Sequence, residues 1–401
     1  MTRGMFEGVR VLELAQYVFV PGAGMLLADQ GAEVIHIEPT GSGDPYRSLR
    51  IGDGREIASV NLAMEQNNHS KKSISLDLKN PQGREAFLAL VKTADVFLTS
   101  LRPKAIRALK IDIEDLRAVN PRLIYARGNG VGFKGAEADK AGFDASAYWA
   151  RSGIAFAMTP PGQPLTPPRP AFGDHSGSVA LAYGVASALY RRAMTGEAPV
   201  VEVSLLSTAL WQISSDVGYA QAADYVAHHP NPNRFPLMSA YPTRDGRLIQ
   251  LMLLDPQPHW PGLCRMIGRE DIADDPLFAD NPARMKNADA LVAIIGGVII
   301  QRDWAEWQPI FEAWDAPWEL IRSISETHED PQVVANEMIR TLEVGGQGVK
   351  IVAGPVTFDG TTHATLPQAA PSLGEHTDAL LASAGYSPEA IAALKNAGAA
   401  Q

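Results

Sequence analysis

The sequence predicts a doubly wound α/β domain together with a smaller α+β domain. Strand-like and helix-like segments alternate through the first 130 or so residues, and this alternation is typical of a parallel sheet with helices on both faces. Near residue 240 it gives way to a hairpin-like pattern. With 401 residues, 46% of them hydrophobic, the chain can bury more than one core. The larger domain is therefore predicted to be Rossmann-like.

The first β-α-β unit comes from an apolar strand at 9–14, a Pro-Gly-Ala-Gly sequence at 21–24 that we interpret as a turn, a short helix, and a strand at 33–38. The same alternation then continues along the chain. Further strands are predicted at 73–78, 95–99 and 123–127, with helices at 82–93 and about 104–119 between them.

A proline-rich segment interrupts this pattern. Residues 159–173 contain six prolines and can form neither a regular helix nor a central strand, so we predict a rigid loop that leads to Asp174. A helix at 178–194, a strand at 200–203 and a long helix at about 204–224 are predicted to follow.

The domain organisation follows from where the pattern changes. A turn at 241–247 precedes an apolar strand at 248–253, which is typical of a hairpin. We expect residues 1–225 to form the first part of the large domain and residues 230–325 to form the small domain. Residues 330–401 are expected to return to the large domain.

Composition excludes several classes of protein. The net charge of −10 argues against a nucleic-acid partner. The only cysteine, Cys264, permits no internal disulfide and no zinc-binding spacing, which fits a reducing compartment such as the cytoplasm. No apolar run is long enough to cross a membrane, and no secretory leader is recognisable. Residues 1–110 carry 14 Lys and Arg against 12 Asp and Glu, so this part is the favoured place for an anionic ligand.

Glu38 ends the second strand, where a dinucleotide-binding fold places the acid that holds a ribose. Such a fold also requires glycines directly after the first strand. Here the first strand is followed by residues 15–20, and the glycines arrive only after Pro21. Dinucleotide binding is therefore disfavoured. The glycines are equally consistent with a tight turn at the start of a helix.

Basic side chains cluster around the predicted loops at the strand ends. Together they could form a rim for a ligand that carries phosphates, although each could equally be a solvated surface charge. They are Arg47, Arg50, Arg55, Lys71, Lys72, Lys79, Arg102, Lys104 and Arg107.

Asp174 is the candidate reactive group. It lies in Gly173-Asp-His-Ser-Gly177, directly before the predicted helix, where an aspartate is most often an N-cap. The proline-stiffened loop before it and the small residues around it also suit a carboxylate nucleophile. His175 is a rival as a base, or else a solvent-facing loop residue. The local pattern leaves these alternatives open.

Landmarks spread over nearly the whole chain resemble the class III CoA-transferases, the CaiB/BaiF type, which include formyl-CoA and carnitine CoA-transferases and the α-methylacyl-CoA racemases. The landmarks, in order, are Phe6 to Leu14, Leu27 to Pro39, Gly41 to Asp44, Lys71 to Lys79, Ala94 to Phe97, Arg102-Pro103, Asn120 to Tyr125, Gly142 to Asp144, Gly173-Asp174, Pro371 to Thr377 and Gly385-Tyr386.

The resemblance implies that Asp174 is the nucleophile of a CoA-transferase, forming a mixed anhydride and then an aspartyl-CoA thioester. It implies acyl-CoA and a free carboxylic acid as substrates, no tightly bound cofactor or metal, and an interlocked homodimer. The residues that fall where family members contact CoA are Gln16, Leu76, Lys79, Ser100, Leu101, Ala105 and, nearby, Arg102, Arg107 and Lys140.

The sequence departs from relatives at several positions. Phe143 stands where racemases have a histidine, and a phenyl ring cannot move a proton, so transfer is favoured over racemisation. The other departures are Val18, Pro39 and Ala108, where formyl-CoA transferases have Gln, Arg and Arg.

Residues 236–247 also lack the glycine-rich loop of formyl-CoA transferases. We therefore expect a larger, apolar acyl group beside Tyr148, Trp149 and Phe156. An acyl-CoA racemase and a non-catalytic acyl-CoA-binding protein remain the alternatives.

Overall fold

The structure is a computed structural model that describes residues 4–49, 60–222, 235–364 and 366–401. Its contacts divide the chain into two compact units. The first comprises Met1–Ala227 and Pro331–Gln401, and the second comprises His228–Asp330.

A six-stranded parallel sheet forms the centre of the first unit. Its order is β3-β2-β1-β4-β5-β6, and every neighbouring pair is parallel. This is the doubly wound order, so the predicted fold class is confirmed. The strands are β1 Arg10–Leu14, β2 Glu33–Glu38, β3 Lys72–Ser75, β4 Val96–Thr99, β5 Ile124–Asn129 and β6 Val200–Ser204.

Helices cover both faces of this sheet. Successive residues of a strand point to opposite faces, and in β1 both Val11 and Leu12 are fully buried. Leu12 joins a core with α3, α15 and α16, whereas Val11 joins a core with α1 and α7. The helices of this unit are α1 Phe19–Asp29, α2 Leu62–Asn68, α3 Pro81–Val91, α4 Pro103–Leu109, α5 Ile113–Arg117, α6 Ile154–Ala157, α7 Phe172–Thr195, α8 Leu205–Gln212, α9 Ser214–Ala222, α14 Pro331–Ala335, α15 Thr377–Ser383 and α16 Pro388–Asn396.

The predicted turn at 21–24 is wrong, because α1 already begins at Phe19. Pro21 is tolerated there since the first backbone N–H groups of a helix have no partner within the helix. Gly22 allows α7 to approach: a Cβ at this position would lie 2.5 Å from Ser178 Oγ. The glycines of this segment therefore serve helix packing.

Two predicted long helices are each divided in two. The segment expected at 104–119 breaks at Lys110, which adopts a left-handed conformation with φ 54°, and α5 restarts behind the cap residue Asp112. The segment expected at 204–224 divides at Ile213 into α8 and α9. The strand predicted at 73–78 is shorter than expected and ends at Ser75.

The C-terminal segment of the first unit covers the edge strand β3. The backbone of His376 donates to the carbonyl of Ser73 (2.9 Å) and that of Gln401 to the carbonyl of Ser75 (3.2 Å). Ala399 and Ala400 are buried in the core beside α3. Before it reaches this edge, the segment forms an antiparallel hairpin of β10 Ile339–Val344 and β11 Gln347–Val352.

Within residues 235–330, the second unit packs a small antiparallel sheet against four α-helices. Strand β7 Ala240–Pro242 pairs with β8 Leu248–Leu251 across the predicted turn, and β9 Trp318–Leu320 pairs with β8. Trp260, Trp307 and Phe311 are buried in its core. The helices are α10 Trp260–Met266, α11 Asn281–Lys286, α12 Ala288–Ile299 and α13 Trp304–Glu312. In neither unit does the described part of the chain contain a helix with the length and apolar character of a membrane span.

Candidate active site

A cavity of about 310 Å³ lies at the carboxyl end of the parallel sheet, beside β1 and β4. The strand order reverses between these two strands, and open α/β sheets bind ligands at that point. Loops that follow β1, β4 and β5 form its walls, together with the segment 140–143 and the start of α7. Its lining residues include Gln16, Tyr17, Val18, Phe19, Ser100, Leu101, Arg102, Ala105, Asn129, Lys140, Phe143 and Asp174.

Hydrogen bonds hold the loop after β1 in place. The backbone N–H of Gln16 donates to Ser100 Oγ (3.0 Å) and joins the loops that follow β1 and β4. Tyr17 adopts φ 66°, and its N–H faces both carboxylate oxygens of the buried Asp44, at 3.2 and 3.3 Å. The wall of the cavity nearest β1 is therefore fixed before any ligand binds.

Asp44 belongs to a buried charge network behind this wall. Burial opposes protonation of His36, but contacts with Asp44 and Glu13 outweigh it and raise the pKa of His36 to about 9. Glu38 accepts two hydrogen bonds from Arg47, both 2.6 Å, and one from Ser73 Oγ. These contacts outweigh burial and lower the pKa of Glu38 to about 2. Glu38 is thus committed to internal partners, which argues against a ribose-binding role.

Asp174 lies inside α7, as its third residue. The expectation that it occupies the N-cap position is wrong: Ala171 stands there, with φ 62° and no side-chain cap. Because the helix begins six residues earlier than the predicted start at 178, Asp174 lies in its first turn and lines the cavity. Within the described part of the chain, no side chain or backbone group donates a hydrogen bond to its carboxylate.

The environment of Asp174 favours its neutral form. Burial, with a smaller contribution from the negative charge of Asp144, raises the pKa of Asp174 to about 7. The N-terminal end of α7 carries a partial positive charge, which favours an anion. The carboxyl group is therefore balanced between its two protonation states near neutral pH.

Asp144 lies beside the start of α7, where its Oδ2 is buried without a hydrogen-bond partner. Burial raises the pKa of Asp144, while the backbone N–H groups of Ala145, Gly173 and Ala171 stabilise its charge. Two of these N–H groups belong to the start of α7. Sequence reasoning missed this proximity to α7, although Asp144 ends the recognised landmark Gly142 to Asp144.

The glycines around Asp174 are required by packing. A Cβ on Gly173 would lie 2.4 Å from the ring of Tyr148, and one on Gly177 would lie 2.6 Å from the ring of Phe19. Real Cβ contacts are never this short, so α7 can approach these rings only with glycine at both positions.

His175 faces a neighbouring helix. Its Nε2 lies 3.2 Å from Asn67 Oδ1, and the amide of Asn67 donates to the carbonyl of Ala63, so Oδ1 is an acceptor and Nε2 carries the proton. Burial lowers the pKa of His175. The ring is thus a neutral tether between α7 and α2.

The cavity gathers most of the predicted site residues. Gln16, Ser100, Leu101, Arg102, Ala105, Lys140 and Asp174 all line it. Leu76 is buried in a bridge to Ala400, Lys79 is exposed, and Arg107 pairs with Asp139 at 3.1 Å. These last three residues are absent from the lining of the cavity.

Several basic residues of the predicted phosphate rim are already paired. Arg47 binds Glu38, Lys72 binds Glu33 at 2.6 Å, and Lys71 is buried against Glu13 at 2.8 Å. Arg50 and Arg55 lie outside the described residues. Of the predicted cations, Arg102 and Lys140 are those that line the cavity, and Lys140 pairs with Glu137 at 2.7 Å.

The aromatic side chains beside Asp174 differ from those expected. Tyr148 and Trp149 are buried in the core next to α1 and α7 and do not line the cavity. Tyr17 and Phe143 line it instead, with their rings edge to face at 5.3 Å. Phe143 is 58% exposed, so an apolar surface meets solvent at the cavity.

No group of three or more His, Cys, Asp and Glu side chains that could hold a metal ion occurs within residues 4–49, 60–222, 235–364 and 366–401. What the cavity offers chemically is one carboxyl group, two cations and an apolar wall.

Known proteins resemble the chain over almost its full length. The chain is 34% identical to (R)-2-hydroxy-4-methylpentanoate CoA-transferase of Clostridioides difficile, over 98% of each protein. It is 31% identical to cinnamoyl-CoA:phenyllactate CoA-transferase of Clostridium sporogenes, over 98% of this chain and 96% of that protein. A crystal structure of a CaiB/BaiF family protein from Brucella suis superposes with a TM-score of 0.81 at 26% identity, covering 96% of this chain and 100% of the other.

The family model described as CoA-transferase family III matches residues 6–377. This match spans the strands β1 to β6, the cavity at the carboxyl end of the sheet, and Asp174. The chain therefore belongs to CoA-transferase family III and is an enzyme of that family.

Proposed function

We propose that the protein moves CoA from an acyl-CoA donor to a free carboxylic acid by covalent catalysis on Asp174. The observation that carries this proposal is the position of Asp174: among the described residues that line the cavity, it is the one carboxyl group. It is also free of hydrogen-bond partners there, so its oxygens can approach a substrate. A carboxylate nucleophile divides one difficult displacement into easier steps.

The reaction begins with attack of an Asp174 oxygen on the thioester carbonyl. The C–S bond breaks, CoA leaves as a thiolate, and a mixed anhydride joins the acyl group to Asp174. The thiolate then attacks the Asp174 carbonyl carbon, which gives an aspartyl-CoA thioester and releases the donor acid. Each intermediate keeps an activated acyl bond, so no other energy source is needed.

The second half reverses these steps with the acceptor acid. Its carboxylate attacks the aspartyl thioester, releases the CoA thiolate and forms a second mixed anhydride. The thiolate attacks the acceptor acyl carbon, which yields the new acyl-CoA and restores the Asp174 carboxylate. The thiolate must stay close through both halves, and a cavity whose walls are fixed by hydrogen bonds supports such retention.

We propose that CoA binds along the loops after β1 and β4. Gln16, Ser100, Leu101 and Ala105 would line its path, and the positive charges of Arg102 and Lys140 suit its phosphates. Contacts from Leu76, Lys79 and Arg107 stay a prediction of the family resemblance, because the cavity lining does not include them.

We infer an acceptor or donor acid with a branched or aromatic side chain. Tyr17 and Phe143 give the cavity an apolar wall, and such a wall stabilises apolar groups that leave water. Two relatives are named for 2-hydroxy-4-methylpentanoate and for cinnamoyl-CoA with phenyllactate, which are acids of this kind.

We further propose that the protein is a cytoplasmic homodimer. Large side chains along one side of α7 stand exposed: Tyr183 by 74%, Tyr190 by 70% and Met194 by 67%. They recur every seven and then four residues, so they share one helix face, and a group of large exposed apolar side chains is typical of an interface. The interlocked form of the dimer is implied by the family resemblance. Cys264 is a buried free thiol, which suits a reducing compartment.

The decisive experiment traps the covalent intermediate. Incubation with cinnamoyl-CoA, followed by hydroxylamine or borohydride and peptide mass analysis, is expected to mark Asp174. Asp174→Ala should abolish both the adduct and the transfer to phenyllactate. Asp378→Ala is the matched control, since Asp378 also lies in the first turn of a helix. An adduct on any other residue contradicts the mechanism. With a saturated 2-methylacyl-CoA in D₂O, deuterium uptake at Cα without an acceptor acid would indicate a racemase.

A further inference from the structure

Tyr17 has an unusual backbone conformation at the edge of the catalytic cavity. Its φ of 66° lies in the left-handed region, which residues with a Cβ rarely adopt because it costs free energy. Tyr17 nevertheless lines the cavity, and its ring lies edge to face with that of Phe143, with the centroids 5.3 Å apart. Another group must therefore stabilise this conformation.

The carboxylate of Asp44 supplies that stabilisation. Asp44 is 1% exposed, and the backbone N–H of Tyr17 faces both of its oxygens, Oδ1 at 3.3 Å and Oδ2 at 3.2 Å. Oδ1 also accepts the N–H of Tyr46 at 2.8 Å, at the start of the 3₁₀-helix Pro45–Arg47. Hydrogen bonds to an ionised acceptor are roughly twice as strong as those between neutral groups, so Asp44 can offset the free-energy cost at Tyr17.

Asp44 is itself held from behind. His36 has a pKa of about 9 and is therefore charged at neutral pH, and its Nε2 lies 3.6 Å from Asp44 Oδ2. The N–H of Asp44 donates to Glu38 Oε2 at 2.9 Å, and Glu38 is bound by Arg47. Asp44 cannot turn away from Tyr17 without leaving buried charges poorly paired. The place of the Tyr17 ring is thus set by residues that do not line the cavity.

We propose that Asp44 is a positioning residue that determines which acyl groups the enzyme accepts. It holds the ring of Tyr17 beside Phe143, and this aromatic wall favours aromatic and branched acyl chains over short ones. The inference rests on the proposed CoA-transferase function and adds to it the residue that sets acyl selectivity. Because Asp44 is absent from the cavity lining, its effect passes through Tyr17.

Asparagine is the informative substitution at this position. Asp44→Asn keeps the shape of the side chain but replaces one oxygen with an NH₂ group, which donates and cannot accept. The remaining oxygen can still accept from Tyr46, whereas the NH₂ group would face the N–H of Tyr17 or the charged ring of His36. Tyr17 is then expected to leave its left-handed conformation, and its ring should leave the wall.

The test measures binding of two unreactive thioethers, S-(3-phenylpropyl)-CoA and S-ethyl-CoA, to the full chain by calorimetry. Neither contains a carbonyl that Asp174 could attack, so binding is measured without transfer. The wild type is expected to bind the aromatic thioether about tenfold more tightly. Asp44→Asn should reduce this ratio of dissociation constants about fivefold. Tyr17→Ala should reduce it to a similar extent, and adding Asp44→Asn to Tyr17→Ala should change it no further.

Asp29→Asn is the matched control for loss of a buried carboxylate. Asp29 is 2% exposed and binds His69 and Arg340, and it does not line the catalytic cavity. This variant should keep the wild-type ratio even if it unfolds more easily. Asp44→Ser is a second test variant, because serine also caps a helix start but its hydroxyl is shorter and uncharged.

The possible outcomes separate this inference from the function on which it rests. An unchanged ratio in Asp44→Asn, an equal reduction in Asp29→Asn, or a further reduction in the double variant with Tyr17→Ala overturns the proposal. Equal affinity of the wild type for the two thioethers overturns it too, while the CoA site stands. A wild type that binds neither thioether contradicts the proposed CoA site and this inference together. If neither Asp44 variant folds although Asp29→Asn does, Asp44 supports the whole fold and the proposal is wrong.

Discussion

Asp144 and Asp174 bring two carboxyl groups to the first turn of α7, but their surroundings differ. Backbone N–H groups of the helix start stabilise the charge of Asp144. The carboxyl group of Asp174 has no such donors, and its pKa rises to about 7. Neighbouring carboxyl groups with different environments usually have different chemical roles. Here backbone groups stabilise the charge of Asp144, whereas the carboxyl group of Asp174 is available for reaction.

Burial is the main cause of the raised pKa of Asp174, and the charge of Asp144 adds to it, so Asp144 should influence the pH dependence of catalysis. Asp174 attacks only when ionised, so kcat is expected to rise with pH through the pKa of Asp174 near 7. Asp144→Asn removes the neighbouring negative charge and should shift this acidic limb to lower pH. The pH profile of kcat in both proteins checks the shift, with Asp378→Asn as the control. A shift to higher pH would contradict the assignment.

The stability that Asp174 contributes should fall as pH rises, whereas kcat should rise. Its folded pKa of about 7 lies above the ordinary value of 3.8, so folding favours the protonated form. The free energy of unfolding that Asp174 contributes is fully present below about pH 4 and is lost as pH rises towards 7. Asp174→Asn should be more stable than the wild type at pH 8, by about 1–2 kcal/mol after solvent screening. Urea unfolding at pH 5 and pH 8 measures this, and an equal effect at both values would exclude it.

The local sequence could not assign these two residues. An aspartate before a predicted helix indicates a cap, and this rule pointed to Asp174 because the helix start was placed at 178. The prolines of 159–173 concealed the true start at Phe172. The landmark order around Asp174 identified it as a candidate nucleophile in spite of that error. The proximity of Asp144 to α7, in contrast, depends on packing between segments about 30 residues apart.

Helices α1 and α7 can pack closely because glycines lie where they meet. Gly22 faces Ser178, and Gly177 faces the ring of Phe19. Ser178 Oγ donates to the carbonyl of Phe19 at 2.7 Å, a contact that a wider helix separation would break. The sequence showed these glycines but not their purpose, because close approach depends on the partner helix.

Adding a side-chain atom at this contact between α1 and α7 should destabilise the protein. Gly177→Ala places a Cβ 2.6 Å from the ring of Phe19, and overpacking of this kind costs about 1–3 kcal/mol. Gly218→Ala is the matched control: it also lies in a helix, with nothing within 4 Å of the new Cβ, and should stabilise the helix by about 0.5–1 kcal/mol. Thermal unfolding compares the two variants. Equal effects would show that the helix contact is looser than described.

At the scale of the whole molecule, the order of the strands determines where the chemistry takes place. The alternation of strands and helices predicted the parallel sheet, because the spacing of apolar residues that marks a strand or a helix is visible within a single segment. The order β3-β2-β1-β4-β5-β6 explains why Gln16 and Ser100, 84 residues apart in sequence, meet. The aromatic wall was not predictable in the same way: burial of Tyr148 and exposure of Phe143 depend on tertiary packing.

The exposed face of α7 should govern assembly. Tyr183→Glu puts a charge into the proposed interface and is expected to produce monomers, because burying an unpaired charge is costly. Ile324→Glu, at a residue that is 78% exposed in the second unit, should leave the oligomeric state unchanged. Light scattering coupled to size-exclusion chromatography measures the mass of each protein. A wild type that elutes as a monomer would remove the basis of the dimer proposal.

The cover over β3 has a consequence for synthesis of the protein in the cell. Strand β3 ends at Ser75, but its partners His376 and Gln401 are made some 300 residues later. At 5–20 residues per second, a ribosome needs roughly 15–60 s to make that stretch. During this interval the nascent sheet presents an open edge, and open edges pair with other chains. Chaperone protection of the unfinished chain should therefore matter more for its yield than the stability of the finished fold.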